Sequence, residues 1–254
     1  MFYLTLPSNS SMDRKSANNA GHYYTKLPQT IDLSGDYEVG LSEIQFSKSY
    51  YNVEKGECWI QFRATETAEQ HQVEIPKGLF DTDEHFIYVL NTLIKAAIGR
   101  KSSEQGKVKF YYNRANKRVS TTLYEKGAVV MLSPALQQLL DMEKDTMWGN
   151  GHFPGQKTID LHKDFYSVFV YSDSVKQRPV GDAMVPLLRI VLVSEKKADV
   201  VHHIFEKPQY IPLVSHQFNT VEILLSTDMG KPISFVKGKT VVTLHLRRRR
   251  PDYF

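Results

Sequence analysis

The chain has 254 residues, 41% hydrophobic and 24% charged, enough to build a core, so a globular fold and not disorder is the default reading. The net charge of +4 equals the charge of the four consecutive arginines Arg247–Arg250; the rest is formally neutral, which excludes a basic face spread over the whole fold. A single cysteine, Cys58, excludes an intrachain disulfide and a cysteine-rich zinc site, and fits a reducing compartment.

Short strand-like runs dominate. Phe2–Leu6 alternates weakly and stops at Pro7, and Ser8–Gly21, rich in Ser and Asn, reads as a loop. Asn9-Ser10-Ser11 matches a glycosylation acceptor, but Met1–Pro7 has no basic segment and too short an apolar one for a secretory signal, so glycosylation is not expected. No stretch is long and apolar enough to cross a membrane. Tyr23–Leu27 and Ile31–Leu33 read as two short strands before the turn Ser34-Gly35-Asp36. In Tyr37–Phe46, Tyr37, Val39 and Leu41 share one parity and Ile44 and Phe46 the other. That change of phase predicts a bulge near Ser42-Glu43, which lets both halves face one core.

Cys58–Phe62 and Val73–Ile75 read as two further strands. The period then changes: Phe86, Val89, Leu90, Leu93 and Ala97 recur at helical spacing. Asp81 as cap, Glu84 as its capping-box partner and Gly99 as the stop frame this amphipathic helix, whose stripe packs on a sheet. Val108–Tyr112 and Val119–Leu123 form a hairpin across Asn113–Lys117, Ser133-Pro134 opens a short helix through Leu136, Leu139 and Leu140, and Trp148–Gly155 reads as a loop. Strands resume at Phe165–Tyr171, Leu187–Val193, Val200–Phe205, Phe218–Leu225 and Thr240–Leu246, separated by turn-like stretches such as Ser194–Asp199 and Asp228–Pro232. The class is therefore mainly β, a sandwich or barrel formed by residues 1–53 with 151–254, carrying an inserted α/β region at 54–150.

Several segments are not anonymous. The chain opens Phe2-Tyr3-Leu4-Thr5-Leu6-Pro7-Ser8-Asn9-Ser10-Ser11 and continues, from Leu27 to Ile44, as LPQTIDLSGDYEVGLSEI. Later come Val200–Leu213 (VVHHIFEKPQYIPL), Thr220–Ile223, Gly230–Phe235 and Val241–Arg247. In order and spacing these resemble the penton-like minor capsid proteins of Polinton (Maverick) elements and related viruses. The likeness runs nearly end to end and is weakest between Glu54 and Gly155. One departure is Tyr37, where the family commonly has Trp. The resemblance implies a single jelly-roll β-sandwich assembling as a homopentamer at the vertex of an icosahedral virion, beside hexameric capsomers of a double jelly-roll major capsid protein. It implies a structural protein, no enzyme and no cofactor, made in the host cytoplasm with assembly there or in the nucleus.

Arg247, Arg248, Arg249 and Arg250 form the one charge cluster that suggests a function: contact with encapsidated DNA or with an acidic patch on a neighbouring capsid protein. The alternative is a solvated terminal tail, or the end of the last strand. Two other functions remain open. One is a receptor- or glycan-binding jelly roll whose inserted block or loops carry recognition. The other is a non-haem iron oxygenase, since His162-Lys163-Asp164 matches the H-x-D of a facial triad that His202, His203 or His216 would complete. Against it, His202 and His203 are adjacent in a strand and point to opposite faces, and no arginine follows His216 closely to hold an oxo-acid cosubstrate. G-x-S-x-G, phosphate-loop and zinc-protease motifs are absent. Cys58 is expected to be packed, and Tyr50-Tyr51 to serve an interface or the core.

Overall fold

The computed structural model describes residues 1–10, 17–99, 103–143, 145–162, 165–193, 199–228 and 230–249. Its first elements are β1 (Phe2–Pro7), β2 (His22–Asp32), β3 (Tyr37–Ser47), β4 (Trp59–Arg63), β5 (His71–Glu74) and α1 (Asp83–Ile98). Then come β6 (Val108–Asn113), β7 (Arg118–Leu123), β8 (Val129–Leu132), α2 (Pro134–Leu140), β9 (Thr146–Trp148) and β10 (Gly151–Pro154). The chain continues with β11 (Ser167–Ser172), β12 (Arg178–Val180), β13 (Ala183–Val185), β14 (Leu187–Leu192) and β15 (Val200–Ile204). It closes with β16 (Ile211–Pro212), β17 (Gln217–Ser226) and β18 (Val241–Arg248). Contacts divide the chain into two units, residues 1–50 with 164–254, and residues 51–163.

The first unit is a jelly roll by its strand order. One sheet runs β1-β18-β3-β15, with β16 also on β3, and the other runs β14-β11-β17-β2. Strands from the two ends of the unit pair antiparallel in nested fashion: β1 with β18, β2 with β17, β3 with β15, β11 with β14. The nesting makes the first and last strands neighbours, so a long insertion between β3 and β11 leaves the sandwich intact. The core between the sheets is built from alternate residues of both, including Leu6, Tyr23, Val39, Val170, Ile223 and Leu244. Tyr23 is fully buried, and its hydroxyl donates to the Leu6 carbonyl at 2.8 Å, the partner a buried phenol requires.

The phase change in β3 is a bulge at Ser42. Thr243 pairs with Glu43 while the next residue, Leu244, pairs with Leu41. Val39, Leu41, Ile44 and Phe46 thereby all reach the core. The Ser42 carbonyl accepts from the Phe205 N–H at 2.8 Å. The two strands expected at 23–27 and 31–33 are one strand, β2. Its register against β17 jumps from Lys26–Thr220 to Ile31–Phe218, across the stretch that holds Pro28. Proline has no N–H to give the ladder, so the strand bends there rather than ending.

Residues 51–163 have their own core, which includes Ile60, Phe86, Leu90, Phe110, Leu123 and Leu136. Two antiparallel sheets, β5-β4-β8-β9 and β10-β7-β6, accompany the helices, and α1 packs on β5 and β6. Thr82, not Asp81, caps α1: its hydroxyl accepts from the His85 N–H at 3.2 Å. Asp83 and Glu84 then lie in the first turn, where the helix dipole favours carboxylates, and Glu84 meets Arg114 at 2.9 Å instead of closing a capping box. The fully buried stripe is Phe86, Ile87, Leu90 and Ile94, with Val89, Leu93 and Ala97 at its flank. Ser133 caps α2 with Pro134 at its first position, as the sequence predicts. Trp148–Gly155 is not a loop. It ends β9 and forms β10, which pairs with β7, and Ile159 and Leu161 beyond it still pack into this core.

Candidate functional site

Arg247 and Arg248 do not begin a tail. They continue β18, opposite Glu38 and Tyr37 of β3. The Arg247 Nε donates to Glu38 Oε1 at 2.6 Å, and its guanidinium carbon stands 3.4 Å from the centre of the Tyr210 ring. Arg247 is thus neutralised and held in place. Arg248 is exposed and lies against Gly35, and the Arg249 N–H donates to the Asp36 carbonyl at 2.8 Å. Arg250 lies outside the described residues. Of the three described arginines, Arg248 and Arg249 are exposed.

Arg247 belongs to a polar cluster on the outer face of its sheet. The six residues 205–210, between β15 and β16, step over Gly40 of β3. A Cβ at Gly40 would lie 2.9 Å from both the Gln209 carbonyl oxygen and Pro208 Cβ, so only glycine lets this strap lie flat. Opposite Gly40 in register is His245 of β18. Its Nδ1 and the Tyr210 hydroxyl share a 2.6 Å hydrogen bond, and the Tyr3 ring stacks on it at 4.5 Å. Nε2 of His245 is buried with no hydrogen-bond partner among the described residues. Burial, then the nearby Arg247 and N-terminal charges, push the imidazole pKa below its usual value. The cluster ties the strap, the last strand and the first strand together. It is an anchor.

The opposite flank of the jelly roll carries a different surface. Among the described residues, β14 pairs only with β11 and β15 only with β3, which places both at the edges of their sheets. Leu192 of β14 and Ile204 of β15 are each 68% exposed, and Ile190 and Val200 are also exposed. Ile190 sits beside the half-buried Phe169 of β11, whose ring is 6.5 Å from that of Tyr171. The two edges are joined by side chains. His203 Nε2 contacts the Leu192 carbonyl at 2.8 Å, Arg189 donates to the Lys207 carbonyl at 3.1 Å, and its guanidinium covers the Phe205 ring at 3.9 Å. By alternation from the buried Val191 and Val201, Leu192 and Ile204 each face outward from their own sheet, on opposite sides of the joined edges; exposed apolar residues at sheet edges suit contact with another polypeptide.

Other residues singled out in the sequence fall elsewhere. Among the described residues no group of three His, Cys, Asp or Glu could hold a metal ion. His202 meets Glu43 at 2.7 Å while His203 turns to Leu192, the opposite faces expected of strand neighbours. Lys163 and Asp164 of the H-x-D pattern lie outside the described residues. Cys58 is buried in the core of the insertion. Tyr50 is also buried, stacked on Phe165 at 3.5 Å, while Tyr51 carries Lys77 over its ring at 4.1 Å. Tyr50 therefore serves the jelly-roll core, not an interface.

Among solved structures, the chain is similar to the mavirus penton protein, with a TM-score of 0.48 and 12% identity, covering 96% of this chain and 97% of that one. No protein-family model matches the chain. No curated protein matches it. The jelly-roll assignment rests on the strand order.

The β14–β15 surface was not legible in the sequence. Ile190, Leu192 and Ile204 read there as ordinary alternating strand residues, and only the sheet order places them at edges. No helix among the described residues is long and apolar enough to cross a membrane.

Proposed function

We propose that this chain is a structural subunit of an icosahedral capsid, one that joins four copies of itself in a vertex ring and carries out no catalysis. Support comes first from the near end-to-end sequence resemblance to penton-like minor capsid proteins. The jelly-roll strand order is the stiff, two-layered scaffold such a ring needs, although the same fold also serves lectins and enzymes. The single observation that carries self-association is the flank formed by the two edge strands β14 and β15, each bearing an exposed apolar side chain on its outer face, Leu192 and Ile204, both 68% exposed. A closed ring requires a heterologous contact, one patch meeting a different patch on the next copy, and this flank supplies one half. In this reading the ring sits in the virion beside a double jelly-roll major capsid protein. The exposed arginines Arg248 and Arg249 face either that neighbour or the packaged DNA.

The test is the solution mass by light scattering on a size-exclusion column, for the chain alone and co-expressed with a double jelly-roll major capsid protein. The expected mass is five times the 29.2 kDa of one chain in at least one of these preparations. Leu192→Glu with Ile204→Glu is expected to return it to monomer without loss of β-sheet circular dichroism, because both side chains are already solvent-facing. A monomeric wild type in both preparations, or a ring untouched by the double substitution, overturns the proposal or its interface.

A further inference from the structure

The insertion, residues 51–163, has an open cleft of about 380 Å³ between the C-terminal half of α1 and the free edge of β6. Its volume falls in the range of small-molecule sites. One wall is held by Asn91. That side chain donates to the Ile87 and Phe110 carbonyls at 3.0 and 2.9 Å and accepts from the Phe110 N–H at 3.0 Å, locking helix to strand. The cleft is therefore preorganised on regular elements.

The side chains facing it have a definite chemistry. Lys95 and Lys109 line it, and neither has a carboxylate within ion-pair distance among the described residues; their neighbour Lys107, by contrast, is paired with Glu125 at 3.0 Å. The Lys109 ammonium stands 4.8 Å from the centre of the Tyr111 ring. Tyr111 and Tyr124, both exposed, share a 2.7 Å hydrogen bond between hydroxyls, which holds two aromatic rings at the rim. Gln105 donates to the Gly99 carbonyl at 2.6 Å, which leaves its amide oxygen as an acceptor. Aromatic rings that can take the apolar face of a ring, hydroxyl and amide groups that both donate and accept, and two uncompensated ammonium groups match a saccharide carrying a negative charge.

Two features argue against a phosphate or nucleotide. Among the described residues, the lining contains no guanidinium to grip a phosphate with paired donors. It also lies toward the C-terminal end of α1, where the helix dipole is negative and opposes every anion, a dianion more strongly than the single charge of a carboxylate or sulfate ester. We propose that this cleft binds an acidic saccharide, one bearing a single carboxylate or sulfate ester, with Lys95 and Lys109 on the charge and Tyr111 and Tyr124 against the ring. The proposal is independent of the capsid reading, since the cleft and its test concern the insertion whether or not the chain forms rings.

The experiment is titration of the full chain, followed by calorimetry or NMR, with sialyllactose and a sulfated disaccharide as probes, lactose as the neutral control and adenosine monophosphate as the phosphate control. At least one acidic saccharide is expected to bind about tenfold or more tightly than lactose, and more weakly as salt rises. Lys95→Ala with Lys109→Ala, at exposed and half-exposed positions respectively, is expected to lower that affinity about tenfold with unchanged circular dichroism. Tyr111→Phe with Tyr124→Phe keeps the rings and removes both hydroxyls; retained but weakened binding is expected. No binding of either acidic probe, equal binding of lactose, tighter binding of the nucleotide, or indifference to loss of both lysines each overturns the proposal.

Discussion

Replacing Tyr210 by phenylalanine tests how the strap is held to the jelly roll. The hydroxyl removed is the hydrogen-bond partner of His245 Nδ1, and His245 Nε2 has none among the described residues. The variant leaves a mostly buried imidazole (7% exposed) with both nitrogens unsatisfied, while the ring over Arg247 stays. Orphaning a buried polar group costs about 1–3 kcal/mol, against about 1 for the mean hydrogen bond, so the upper part of that range is expected. A loss of about 2 kcal/mol corresponds to a fall of roughly 4–8 °C in the unfolding midpoint of a chain this long. Differential scanning calorimetry reads the total. Both tryptophans, Trp59 and Trp148, lie in residues 51–163, so tryptophan emission follows the insertion separately and serves as an internal control. The second arm is the double variant Tyr210→Phe with His245→Leu. Removing both partners replaces a polar pair by apolar groups, so the double variant should be more stable than the sum of the singles predicts, by about 1 kcal/mol or more. Additive singles, or a Tyr210→Phe loss below about 0.5 kcal/mol, would refute the claim that this bond anchors the strap.

The same histidine predicts a pH dependence. Its pKa is lowered in the folded chain from the ordinary 6.5, by burial first and then by the Arg247 and N-terminal charges, with Tyr3, Tyr210 and Glu38 the other polar groups of the cluster. Between the folded and unfolded values the unfolded chain binds the extra proton, so this contribution is complete above about 6.5 and is lost as pH falls through the folded value. His245→Gln should flatten the fall of melting midpoint on mild acidification; an unchanged slope would assign it to other groups. Gly40→Ala puts a methyl 2.9 Å from the Gln209 carbonyl and Pro208 Cβ, and should cost about 1–3 kcal/mol in a denaturation series because backbone, not a flexible side-chain end, must move. Within the arginine run, Arg247→Ala should cost about 1 kcal/mol, discounted for its partial exposure, and Arg248→Ala less than about 0.5; equal effects in urea unfolding would show that the Glu38 contact contributes nothing.

Wherever a residue's neighbours along the chain set its environment, the sequence was sufficient. The change of parity within Tyr37–Phe46 placed a bulge at Ser42 because a period of two leaves no other way to bury both halves. Ser133-Pro134 marked the start of α2 because the hydroxyl and the fixed proline φ act within one turn. The α1 cap was off by one, Thr82 for Asp81, since both residue types cap well and the choice depends on how the chain enters the helix. Trp148–Gly155 looked like a loop from its glycines. Pairing of β9 with β8 and β10 with β7 overrode that local preference.

Partners distant in sequence were beyond reach of such reasoning. Arg247 meets Glu38 and Tyr210 across more than two hundred and about thirty-seven residues respectively, so its fate as an anchor, and not part of a free basic tail, is a property of the sheet. Gly40 is required by a strap that arrives from residues 208 and 209. Edge and central strands carry the same alternation, and Leu192 and Ile204 became a surface only when β14 and β15 took the outer places. The sequence by itself determined the β-rich class, the phase of its strands and, to within a residue, where its helices begin, because those follow from local sterics and burial periodicity. The tertiary structure alone decided which strands lie at edges, which charges are neutralised and which are left facing solvent, because those depend on contacts between segments that nothing in their own composition specifies.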